Sequence, residues 1–205
     1  MPFVMGKPQQ NDFGTESVVF PPNTPLEFTL EKIEAGLYEP FKPDGSRDQP
    51  YPHFRFTYKD AEGDIYQTQP MRFPRAFQFN EKAGFWKHVG ALFGRPLTEE
   101  DAGAVEIDLG PGFDTWEDVL SRDKMPNLFA KKDEVRPLQV RSIKVHGKEL
   151  ISSDSKVLLV FSTQKKKDKD GKPKRDSSGE EIEYSKLENV LPISSGESGK
   201  KKRPV

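Results

Sequence analysis

Residues 80–96 read NEKAGFWKHVGALFGRP. Phe85, Trp86, Val89, Leu92 and Phe93 recur at helical spacing, which places three aromatics, a valine and a leucine on one face of a short helix. A face that heavy needs a sheet to pack into. Asn80 is the expected N-cap, Gly94 stands where a left-handed residue ends a helix, and Pro96 prevents a restart, so a helix is expected over 81–93. Both flanks have strand character, and one aromatic-rich helix between two groups of strands suits a small β-barrel with the helix closing one end.

On the N-terminal flank, residues 51–60 (YPHFRFTYKD) and 64–73 (DIYQTQPMRF) enclose a turn at Ala61, Glu62 and Gly63. Phe54, Phe56 and Tyr58 alternate with His53, Arg55 and Thr57, which predicts a strand over 51–59 with aromatics on one face and hydrogen-bonding groups on the other. Its partner is expected over 64–70, where Pro70 ends it. Earlier, Leu26, Phe28 and Leu30 alternate with Glu27, Thr29 and Glu31, predicting a half-buried strand over 25–34. Downstream, KVLLVFST predicts a central strand over 156–164 covered on both faces, with its partner over 181–191. These five strands and the helix form the expected mainly β, five-stranded barrel with one capping helix. The remaining signals are weaker: capped turns at Thr98 and Thr115, a short strand in VEIDL, and an edge strand or added hairpin arm in LQVRSIKV at 138–145. Residues 126–135 have no assignable pattern.

Composition sets the limits of the core. Hydrophobic residues make up 33 % of the chain and charged residues 32 %, and 18 prolines and 16 glycines interrupt the rest, so polar segments must decorate a modest core. The expected organisation is an N-terminal arm over 1–24, a domain over 25–193 with polar insertions at 98–135 and 166–180, and a flexible basic tail over 194–205. The absence of cysteine excludes disulfides, thiolate metal sites and cysteine nucleophiles. No stretch approaches the roughly 20 apolar residues of a membrane span, and the first residues lack the apolar core of a signal peptide; the expected location is the cytoplasm.

A formal charge of −1 gives no global attraction to polyanions, but the charge is polarised. Residues 97–120 hold Glu99, Glu100, Asp101, Glu106, Asp108, Asp114, Glu117 and Asp118 with no Lys or Arg, whereas seven of the eleven residues 165–175 are basic.

No HExxH, GxSxG, Walker or GxGxxG pattern is present, and His53, His88 and His146 are scattered, so neither catalysis nor a cofactor or metal is expected. Single-stranded nucleic-acid binding fits better, because it needs cations for the backbone and aromatic faces for the bases. The first hairpin interleaves both. Arg55, Tyr66, Arg72, Phe73 and Arg75 are the expected groove residues, with His53 and Lys59 beside them.

The segments FRFTYKD, ALFGRPLT, VHGKELI, KVLLVFSTQKKK and IEYSKLENVLPI together resemble small phage and prophage proteins with an OB-like fold, similar to single-stranded DNA-binding proteins. The resemblance spans residues 25–193, with ALFGRPLT its most specific element. It implies a non-enzymatic protein of the host cytoplasm that binds single-stranded DNA with low sequence specificity, acts beside replication or recombination proteins, and is able to form a homo-oligomer. Two departures stand out: the insertions at 98–135 and 166–180, and a basic rather than acidic tail. The competing expectation is a protein-interaction or assembly module on the same barrel, favoured by the acidic 97–120 segment, which would repel phosphate.

Overall fold

The computed structural model describes residues 9–10, 16–40, 42, 44–74, 78–131, 133–168 and 170–193. Most of the expected arm, the tail over 194–205 and Arg75 lie outside them. In chain order the elements are β1 (Gln9–Gln10), β2 (Glu16–Ser17), β3 (Leu26–Tyr38), β4 (Tyr51–Lys59), β5 (Ile65–Gln67), β6 (Met71–Arg72), α1 (Gly84–Phe93), α2 (Glu99–Gly103), β7 (Val105–Asp108), α3 (Trp116–Leu120), β8 (Leu138–Gln139), β9 (Ser142–Val145), β10 (Lys148–Glu149), β11 (Lys156–Lys165) and β12 (Glu183–Pro192).

The fold is mainly β, and its named strands pair antiparallel. The principal sheet runs β12-β11-β3-β4-β5, with β6 added to β4 and β8 to β3, while β10-β9-β7 forms a smaller sheet. The five principal strands therefore pair in an order that a small barrel could use, but the path stays open between β5 and β12. At the end of β5, Thr68 donates its N–H to Phe56 O at 2.9 Å and accepts the Phe56 N–H on Oγ1 at 3.0 Å, so a side chain takes over the last ladder bond to β4 before Pro70.

Strand β3 is longer than the alternation suggests. A bulge between Leu30 and Lys32 inserts one residue, so the inward positions switch from Phe28 and Leu30 to Ile33 and Ala35, and the strand continues to Tyr38. Strand β4 matches its expected bounds, with Phe54, Phe56 and Tyr58 fully buried. Its other face is covered too: His53 and Thr57 are buried and Arg55 is half-buried. Strand β11, expected to be covered on both faces, buries Val157, Leu159 and Phe161 and leaves the alternate positions between them half-covered.

Helix α1 is the aromatic plug. Phe85 and Trp86 are buried, and Phe54 lies between Phe73 and Phe85 in a stack with centroid spacings of 3.7 and 4.6 Å. The helix starts at Gly84, later than expected, because Asn80 caps a preceding turn instead: its Oδ1 accepts the Lys82 N–H and its carbonyl the Ala83 N–H. Gly94 ends it at φ 105°, as the sequence indicates. Besides α1 there are two five-residue helices among the described residues, α2 and α3, each opened by a capping box, Thr98 with Asp101 and Thr115 with Asp118.

Residues 138–145 divide between the two sheets. Leu138 and Gln139 pair with β3, whereas residues 142–145 pair with β7 and turn through His146 and Gly147 into β10. The 18–23 segment also joins the core: Asn23 N–H bonds Phe161 O, and Phe20 stacks on Phe161 at 4.7 Å. Phe20 is 2 % exposed, so this part of the expected arm packs inside the domain.

Candidate nucleic-acid interface

The open seam between β5 and β12 is the mouth of a concavity of about 2670 Å³. Its walls come from both strand edges, the start of α1, the 127–131 loop and the base of the β11–β12 hairpin. Ten lysines and arginines line it against four carboxylates. Arg55 is matched by Glu34, Lys165 by Glu181, and Lys186 by Glu188. Lys82, Lys87, Lys131 and Arg136 also line it, with no ion pair among the described residues. An excess of one charge sign in a cleft focuses potential, so the surplus of cations here favours anions although the chain as a whole is near neutral.

Of the expected groove residues, Arg55 and Tyr66 line the concavity. Arg55 does so with its charge already used: Nε and Nη2 both donate to Glu34 Oε2, at 3.1 and 2.7 Å. Burial alone would raise the Glu34 pKa, but hydrogen bonds from Lys32 and Arg55 hold it below the ordinary value. Tyr66 packs edge-on to Phe161 and Phe20, and burial pushes its hydroxyl pKa up. The Leu187 backbone, across the seam on β12, offsets part of that rise.

The others lie elsewhere. Phe73 is a correction to the sequence reading: it is 2 % exposed and stacked on Phe54, so its face is already occupied. His53 is buried as well, its Nδ1 2.7 Å from Tyr51 O; a proton on Nδ1 makes that a donated hydrogen bond, and burial lowers the ring pKa. Lys59 is exposed at the far end of β4. Arg72 is exposed beyond the concavity, its guanidinium 4.1 Å from the Tyr51 ring centre. The remaining candidate, Arg75, is outside the described residues.

The chain matches no family model, no curated protein and no solved structure. Function must be read from the site itself.

Sequence reasoning missed Phe129, Lys131, Arg136 and the helix-flank lysines Lys82 and Lys87. The helical period predicts that Lys82 and Lys87 are exposed, but only the fold turns them toward the seam. Phe129 left a faint signal, an aromatic just before a basic pair in LFAKK, inside the segment without a period.

His88, Asp101 and the Asp60, Glu62 and Asp64 group have structural partners. His88, buried on α1, lies with Nδ1 2.6 Å from the Tyr58 hydroxyl, and burial lowers its pKa to about 3. It is therefore neutral near pH 7, its Nδ1 paired with the Tyr58 hydroxyl. Asp101 is held well below the usual carboxylate range by Arg95 first, then by the Thr98 amide, and it also meets His146 Nε2 at 3.0 Å. Asp60, Glu62 and Asp64 bring carboxylate oxygens together at the β4–β5 turn, where Asp60 Oδ1 accepts the amides of Glu62 and Asp64. That is the bonding of a tight turn.

Proposed function

We propose that this protein binds single-stranded DNA in the basic concavity between β5 and β12, without enzymatic activity and with low sequence specificity. The observation that carries the reading is the excess of cationic side chains lining a seam between two strand edges, with aromatic rings among them. Unpaired strands expose both phosphates and base faces, and a cationic groove with aromatics suits both. The strand order β12-β11-β3-β4-β5 suits an open OB-like barrel. On this reading the protein works in the cytoplasm, phage-encoded, beside replication or recombination proteins.

The test is fluorescence anisotropy of a labelled thymine oligonucleotide at low and moderate salt, with duplex DNA as competitor. We expect affinity to fall with salt and to resist the duplex. Lys87→Ala and Lys131→Ala should each flatten the log–log salt slope by about 0.7, the value per neutralised phosphate of a single strand. Arg72→Ala should leave the slope unchanged, because Arg72 stands outside the concavity; a flattened slope would move the site to the outer hairpin face.

The second reading is a protein-interaction or assembly module. Glu99, Glu100, Glu106, Asp108, Asp114 and Glu117 are all exposed, an acidic surface suited to a basic protein or a second copy. Absence of oligonucleotide binding at low salt, with a salt-sensitive oligomer by light scattering, would favour it.

A further inference from the structure

We infer that residues 126–131 form a rigid mount presenting Phe129 as a nucleobase-stacking platform at one end of the concavity, an assignment that rests on the single-strand reading above. Phe129 is 43 % exposed, more than any other aromatic among residues with described side chains. An exposed ring on a wandering loop would mean little, but this one is fixed on several sides. Its neighbour Leu128 is fully buried. Leu37 on β3 donates to Pro126 O at 2.7 Å and accepts from Leu128 N–H at 2.8 Å, which ties the loop to the principal sheet. Asn127 Oδ1 then accepts the Phe129 N–H at 2.9 Å.

The approach of loop and strand is close enough to require glycine at position 36. A Cβ there would lie 2.7 Å from Leu128 N and 2.9 Å from Pro126 O. The ring itself is backed by the Arg55 guanidinium, 4.8 Å from its centre, and packs at 61° to the Tyr38 ring with centres 5.5 Å apart. Glu34 holds that guanidinium in place, so Arg55 serves Phe129 as a fixed base more than it serves a phosphate as a free charge. The remainder of the ring faces the concavity it lines, beside Lys131 and Arg136. An immobilised aromatic next to cations is what an unpaired nucleotide requires, because base and phosphate engage together and little side-chain freedom is lost on binding. Duplex DNA, with its bases stacked on each other, has no free face to offer.

The experiment compares the wild-type protein with Phe129→Ala, Phe129→Leu and Phe129→Trp on a thymine oligonucleotide and on one of equal length made of abasic sites. Both the alanine and leucine variants should lose about tenfold in affinity for thymine and less than about twofold for the abasic strand. In the Phe129→Trp variant the added indole emission is read as the difference from wild type, because Trp86 and Trp116 also emit. That difference should be quenched on adding thymine strand and unchanged by the abasic one. Equal losses on the two strands, wild-type affinity in the leucine variant, or unquenched emission would each overturn the platform while leaving single-strand binding intact. Failure of the wild type to bind either strand would overturn both readings. Circular dichroism melts of the variants, expected to match the wild type, exclude loss of fold as the cause.

Discussion

His88 shows how one side chain sets a pH dependence. Its ring is buried and neutral, with a pKa of about 3, whereas in the unfolded chain it titrates near 6.5. Between those values the unfolded state binds the extra proton, so stability is full above about pH 6.5 and falls as the pH drops toward 3, by up to about 1.4 kcal/mol per pH unit. Urea unfolding of the wild type and His88→Gln at pH 7, 5.5 and 4.5 should show a shallower decline in the variant. Arg55 acts differently. Removing it leaves Glu34 only Lys32 and strips the backing from Phe129, so Arg55→Ala should lower stability by about 1–2 kcal/mol in urea titration, allowing for the part that is solvent-screened. A reading of residues in isolation could place Arg55 on the polar face of a strand but could not see Glu34 opposite it, because the bulge in β3 sets that pairing.

Elements with their own period were legible, and those defined by a neighbour were not. The alternation in β4 and the helical spacing in α1 follow directly from apolar residues facing the core. The end of α1 was legible because Gly94 supplies a conformation few other residues adopt easily; its start was not, because Asn80 uses its side chain one turn early. The capping boxes at Thr98 and Thr115 were visible from spacing alone, and Thr98→Ala should cost about 1 kcal/mol by thermal melting. The 126–131 mount had no period to read, since it is held by backbone bonds to β3 and by one buried leucine. Gly36→Ala tests that seat. The added methyl forces the loop off the strand, and the variant should lose about 1–3 kcal/mol in chemical unfolding and regain none of it from a longer side chain at position 129.

Over the entire fold, the order of the main strands follows from which segments carry apolar alternation, and to that extent the sheet was foreseeable. The break in it was not, since it depends on how β5 and β12, far apart in the sequence, come to lie across the fold. The same break determines how a long polymer could enter. The concavity lies open along the seam between β5 and β12, so on the single-strand reading a strand can enter it from the side at any point along its length. A covalently circular single strand should therefore associate as fast as a linear one of the same length in stopped-flow mixing, and the protein should engage a stretch within a long molecule without first finding its terminus.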